Sequence, residues 1–305
     1  MDNKTITLQA GALTVGNANL RRQALLYSAV ALGVSFLLTA VNFMLSRQIE
    51  GTGGLAGMRM RTVLSSAQML LTIASTVLLP FWDMGFYAVA LDVSRHEQPE
   101  TGRLLEGFYR FGRVLGFLLL HTLFLSLLAV VVFYGATMVY MLSPLGDRIF
   151  RAMEPIVQNL DPQNPDLTAL ESMLPHMIPL YITAGLAALA FVLPAAYRLR
   201  LGQWFLMDKE LTGRQALQAS SRVMKGKRWG LFKLDLQFWW YYLLQAVAMA
   251  VAYADTVIPG LEGDLAFFGC YVVSLGLQFT LSVLVMPRVQ VSYAIFYNNE
   301  KGQVA

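Results

Sequence analysis

Six stretches of this chain run for 21 residues or more with at most one acid: Leu25 to Ser46, Thr62 to Trp82, Val114 to Leu142, His176 to Tyr197, Leu234 to Ala254 and Leu265 to Pro287. A helix rises about 1.5 Å per residue, so each is long enough to cross a hydrocarbon layer of about 30 Å. Lipid offers backbone N–H and C=O groups no partner, which leaves helices and closed barrels as the spanning structures. The alternating segments of about ten residues that mark a membrane barrel are missing. The expected fold is therefore all-α, a polytopic transmembrane helical bundle in which residues 1–305 form a single integral membrane domain. Composition agrees: 56% apolar residues, 14% charged residues and a mean hydropathy of +0.52 exclude an ordinary soluble domain. The first apolar run exceeds a signal-peptide core of about 7–15 residues and no small-residue cleavage site follows it, so it is expected to remain as an anchor. The single cysteine, Cys270, excludes an intramolecular disulfide and is expected to pack as a small apolar residue.

Arginine and lysine concentrate on the cytoplasmic side of a membrane protein. With six crossings both termini share one side, and that side carries 18 of the 23 basic residues, while Arg47, Arg59, Arg61, Arg148 and Arg151 fall on the other. A multi-pass protein with both termini in the cytoplasm is expected. On the outer side the segment from Ser143 to Pro175 reads as a proline-rich acidic loop, and "EGTGGLAGM", Glu50 to Met58, as a flexible turn.

The chain also resembles itself. The even-numbered stretches end in "VLLPFWDMGFYAVAL", "FVLPAAYRLRLGQWF" and "VLVMPRVQVSYAIFY", each running into a proline, a nearby charge and further aromatics. The odd-numbered stretches each begin just after a basic residue, and two of them follow a Thr-Gly-Arg, at 101–103 and 212–214. Three repeated hairpins are expected, over about 21–91, 100–206 and 212–297, against the alternative of chance likeness among apolar segments. The two cytoplasmic connections carry amphipathic patterns. Arg103, Glu106, Arg110 and Arg113 share one face of the first, and Arg214, Gln218, Arg222 and Lys225 one face of the second, where Thr212 and Gln215 fit a capping box. Short helices are expected there, lying on the inner membrane surface or packed beneath the bundle.

One acid directly follows the second stretch, before apolar residues resume. Counted from Arg61, Asp83 lies 22 residues on, about 33 Å along a helix, which places it at the inner boundary. A mid-bilayer aspartate would cost about 2.5–3.5 kcal/mol. Opposite charges stand at corresponding exits, so a structural ion pair of Asp83 with Arg198 or Arg288 is expected.

Catalytic patterns are absent. His96, His121 and His176 are isolated, and no HExxH, CxxC or GxSxG motif occurs. No enzyme activity, cofactor or metal is expected. Arg222, Lys225, Lys227 and Arg228 are candidate contacts for anionic lipid headgroups, although ordinary orientation signalling accounts for the same charges. "FWWYY", Phe238 to Tyr242, reads as an interfacial aromatic belt, and Ala246, Ala250 and Ala254 as a stripe for close helix approach. The basic residues hug the ends of apolar runs, which argues against nucleic-acid binding.

The stretch from Ala216 to Tyr242, "ALQASSRVMKGKRWGLFKLDLQFWWYY", resembles the signature of DUF975, a family of bacterial integral membrane proteins without assigned function. Ala216, Leu217, Ser220, Met224, Gly226, Leu231, Phe232, Leu234, Leu236 and Phe238 carry the likeness. Val223 and Gln237 depart from it, and the tryptophans fall one or two places early. The segments "RHEQPETGRLLEGFYRFGRVLG" and "PRVQVSYAIFYNNE" are similar to the family too. The resemblance implies a six-helix protein of the bacterial cytoplasmic membrane and transfers no catalytic residue. The functional expectation is a non-enzymatic membrane module that organises membrane lipids or a membrane-protein partner. The alternative is a small transporter or exporter of an amphiphilic substrate.

Overall fold

A computed structural model describes residues 2–51, 54–158, 174–258 and 263–302. Every regular element among them is helical. The chain divides into two compact units, one formed by residues 1–117 and 201–305, the other by 118–200. Five segments are long and apolar enough to cross a membrane: Ala18–Leu45, Arg59–Ser94, Phe111–Met141, Met177–Asp208 and Asp264–Leu284. The crossing expected from Leu234 to Ala254 is not one helix. It is divided between α10 (Arg228–Gln237) and α11 (Trp239–Val251), because Phe238 leaves the helical region at φ −106° and ψ 16°.

In the first unit, α2 (Ala18–Gly51) and α3 (Gly54–Ser94) pack along each other. Thr52 and Gly53 lie outside the described residues, and the turn expected over Glu50 to Met58 is otherwise helical. α3 has two parts. Residues 59–79 have no buried side chain, whereas from Phe81 to Val93 nearly every side chain is enclosed by protein, without a break in the helix at Pro80. The exposed part is about 31 Å long, the thickness of a hydrocarbon layer. The same change occurs between α13 (Asp264–Leu284), where Ser274 alone is buried, and α14 (Met286–Lys301), which is buried from Pro287 to Tyr297 apart from Arg288 and Gln290. α8 (Gly202–Asp208) is likewise enclosed through Met207. These three exit segments form the core of the unit. Tyr87 of α3 meets Trp204 of α8 with ring centroids 5.0 Å apart, and Phe205 of α8 meets Tyr297 of α14 at 4.9 Å.

Each exit carries a short companion. α1 (Asn3–Thr14) lies on α14, α9 (Gly213–Val223) lies on α8, and the 3-10 turn Thr101–Leu105 with α4 (Glu106–Tyr109) lies on α3. α9 starts at the expected capping box, in which the Thr212 hydroxyl accepts from Gln215 N and the Gln215 side chain accepts from Thr212 N. The first connection holds the expected short helix as a 3-10 turn that runs into α4 and ends at Arg110. Gly107 and Gly85 bring its backbone into contact with that of α3: a Cβ on Gly85 would stand 1.8 Å from Leu104 O, and one on Gly107 2.0 Å from Phe81 O. Both connections are packed on protein, with Leu104, Gly107, Ala216 and Ser220 buried.

The second unit contains the apolar length of α5 (Phe111–Met141) beyond Phe117, α6 (Gly146–Gln158) and α7 (Leu174–Leu199). α6 replaces the first part of the expected outer loop, and residues 159–173 of that loop lie outside the described residues. Tyr140, Ile149 and Leu180 form a small core with Met141 and Met177. Between α5 and α7 runs an apolar groove of about 400 Å³ lined by Val132, Gly135, Ala136, Val139, Thr183, Ala187 and Phe191. α12 (Ala254–Val257), a single turn beside α13 in the first unit, completes the described helices.

Candidate functional site

The charged groups of the first unit fall into an inward set and an outward set. The inward set ties the exits together. Asp208, at the end of α8, accepts from Arg95 Nη2, from the Tyr297 hydroxyl at 2.8 Å and from Lys301 Nζ at 2.9 Å. Asn298 accepts from Arg95 and donates to the Ser94 hydroxyl at 2.7 Å. Arg103 grips Asp92 with two bonds, Nε to Oδ2 at 2.8 Å and Nη2 to Oδ1 at 3.0 Å. Arg110 binds Glu106 at 2.7 Å and reaches across to the carbonyls of Leu206 and Met207 at 3.0 and 3.1 Å. Burial alone would lower the Arg103 pKa, but its bonds to Asp92 and the charge of Glu106 raise it above the ordinary value. Burial, and then the bond to Asp208, push the Tyr297 phenol well above the usual tyrosine range. These groups satisfy one another, and the arrangement is a clamp.

Asp83 belongs to neither set. It stands at the change from exposed to buried helix, and its Oδ1 accepts from the Tyr27 hydroxyl at 2.5 Å. Trp82 Nε1 donates to the Tyr27 carbonyl at 3.1 Å, and the Tyr27 ring packs on Phe86 with centroids 4.9 Å apart. The expected ion pair with Arg288 does not form, because Arg288 turns toward α1, where Nη2 donates to Thr7 O at 3.3 Å and the guanidinium lies against Gly11. A phenol from α2 takes the place given to a cation. Arg198 lies in the last turn of α7 in the second unit.

The outward set lies on α9 and α10. Arg222, in the last turn of α9, and Lys225, in the following turn where Gly226 takes φ +79°, are exposed. Lys227 Nζ lies 3.3 Å from Glu300, and Arg228 is half-buried in the first turn of α10. The four candidate headgroup contacts are therefore sorted into two that face outward and two that are partly engaged with protein. Sequence reasoning missed Lys233, which is exposed with its ammonium 5.8 Å from the Trp229 ring centroid. Its place four residues after Trp229, one turn along the same helix, was the available signal.

Among the described residues no group of three or more His, Cys, Asp or Glu side chains is placed to hold a metal ion. A cavity of about 490 Å³ beside the first connection is lined by Asp92, Glu97, Glu100, Arg103, Glu106 and Tyr109, among others. His96, near it in sequence, is exposed at φ 63°.

Residues 18–303 match the family model described as "Protein of unknown function (DUF975)". The chain belongs to the DUF975 family. Comparison with curated proteins and with solved structures returned no match. Six of the ten positions that resemble the family signature, Ala216, Ser220, Met224, Leu231, Leu234 and Phe238, are buried in the first unit, whereas Gly226 and Leu236 are exposed. In this DUF975 chain the six buried positions seat α9 and α10.

Proposed function

We propose that this DUF975 chain is a non-enzymatic module of the cell membrane that organises lipid or a membrane-protein partner at the cytoplasmic surface. In this reading the chain crosses the bilayer six times as three hairpins, the fifth crossing being the divided α10–α11, and both termini are cytoplasmic. The observation that carries it is the change along α3 and along α13–α14. About 31 Å of apolar helix left exposed is followed directly by a dense core. A helix that is apolar all round and unburied needs an apolar solvent. The repeat reading is supported by the three exits with one companion each, α1 closing the ring on α14. The cytoplasmic placement is supported by the 18 basic residues that lie toward the core end of the crossings.

Purification in mild detergent, followed by identification of bound lipids and proteins, tests the reading. Reproducible carriage of a defined lipid class or a membrane-protein partner is expected. A clean monomer carrying neither would overturn it. A second reading, export of an amphiphilic substrate, draws on the apolar groove between α5 and α7. Accumulation of an amphiphilic dye by proteoliposomes under an ion gradient would favour it over the module.

A further inference from the structure

The segment 211–254 contains six basic residues and one acid, Asp235. That acid is drawn inward: Tyr293 of α14 donates to its carboxylate, and the Tyr242 hydroxyl lies 2.6 Å from that of Tyr293. Glu300 of α14 sits with Lys227 of the basic turn. What faces outward from α10 and the turn before it is cationic and aromatic.

α10 has two distinct faces. Leu231, Leu234 and Phe238 are buried at spacings of three and four. Trp229, Lys233 and Leu236 recur at intervals of four and three along the opposite side of α10, Trp240 is exposed in the first turn of α11 beyond the break at Phe238, and Lys225 lies in the turn that leads into α10. Trp229 is 62% exposed, Leu236 51% and Trp240 39%, and both lysines are exposed. Two tryptophans and a leucine at these positions leave a large apolar surface bare in water, which a soluble face avoids. At headgroup depth the same residues are at home: indole rings sit between water and hydrocarbon, and lysine stems lie along apolar surface while the ammonium reaches a phosphate. The strip runs on into the exposed flank of α11, through Trp239, Leu243 and Val247.

We infer that the outward face of α10 is a docking strip for an anionic phospholipid. Lys225 and Lys233 hold the phosphate region, and Leu236 and Trp240 border the first part of the acyl chain. The occupant is a lipid because the strip joins the long apolar flank of α11 and because its one acid is withdrawn behind Tyr293. The inference rests on the membrane reading above and adds a selectivity that reading does not require.

The full chain is reconstituted into nanodiscs of phosphatidylcholine doped with phosphatidylglycerol, and the lipid retained on extraction into mild detergent is quantified by mass spectrometry. Enrichment of phosphatidylglycerol over phosphatidylcholine is expected. K225Q/K233Q should lower it by about fivefold per lysine removed, equivalent to ~1 kcal/mol each. K225R/K233R should keep it, which separates charge from folding. Quenching of tryptophan fluorescence by brominated phosphatidylglycerol should fall in Trp229→Phe. Absence of enrichment in the wild type, or unchanged enrichment in K225Q/K233Q, overturns the strip while the membrane reading stands. Failure of the chain to enter a bilayer overturns both.

Discussion

Substitution of Gly85 by alanine tests the contact that seats the first connection. The added Cβ would stand 1.8 Å from Leu104 O, 2.5 Å from its carbonyl carbon and 2.9 Å from its Cα. Ordinary contact begins at about 3.4 Å, so backbone must retreat by roughly 1.5 Å, and no flexible side-chain tip is available to absorb the change. Overpacking of a rigid site costs about 1–3 kcal/mol. The retreat also pulls Arg103, one residue from Leu104, away from Asp92, which is buried. Breaking a buried pair costs about 3–5 kcal/mol, reduced here because Arg103 retains some access to water. A loss of about 3 kcal/mol or more is therefore expected for Gly85→Ala. The control is Gly102→Ala on the same connection, where the new Cβ meets nothing within 4 Å. It should be neutral or stabilising by up to about 1 kcal/mol through the unfolded chain. Unfolding in mixed micelles of mild detergent and dodecyl sulfate, followed by tryptophan fluorescence, measures both. Equal stabilities for the two variants would refute the backbone-to-backbone seating.

A double-mutant cycle of Tyr27→Phe with Asp83→Asn, read in the same unfolding assay, should give a coupling of about 1–3 kcal/mol, whereas Asp83→Asn with Arg288→Ala should be additive. Asp208→Ala removes the acceptor of three donors and should cost about 3 kcal/mol, the lower end for broken buried pairs because Arg95 and Lys301 still reach water. An unfolded tyrosine ionises near pH 10, and Tyr297 resists ionisation in the fold, so its stabilisation is complete below about pH 10 and is lost as pH rises from there toward its folded pKa. Unfolding followed across that range should show wild type losing stability more steeply than Tyr297→Phe.

Apolar length was legible because it is a property of contiguous sequence: the stretches at 62–82 and 265–287 cover most of the exposed part of α3 and all of α13 after its first residue. The capping box at Thr212 and Gln215 was legible for the same reason, since both partners lie within one turn. The dense core was not, because residues facing lipid and residues facing protein are both apolar, so "MGFYAVAL" and "TIASTVLL" read alike although one is enclosed and the other exposed. The break at Phe238 has no glycine or proline to announce it. At Asp83, charge pattern pointed to an arginine, but a tyrosine hydroxyl satisfies a carboxylate without carrying charge and so leaves no trace in a charge count. The sorting of the basic collar depended on Tyr293 and Glu300, more than 50 residues away from the groups they restrain.

The seat of α1 on α14 has a consequence for synthesis. Thr7 meets Arg288 across an interval of 281 residues, and Asn3 donates to the Gly230 carbonyl across 227. At about 5–20 residues per second, α1 waits roughly 14–56 s for the surface it will cover. Until then its apolar side, with Ile6 and Ala10, has no permanent cover, and the clamp around Asp208 lacks Tyr297 and Lys301. One late latching event therefore fastens two places at once: synthesis of α14 both seats α1 and completes the clamp on Asp208.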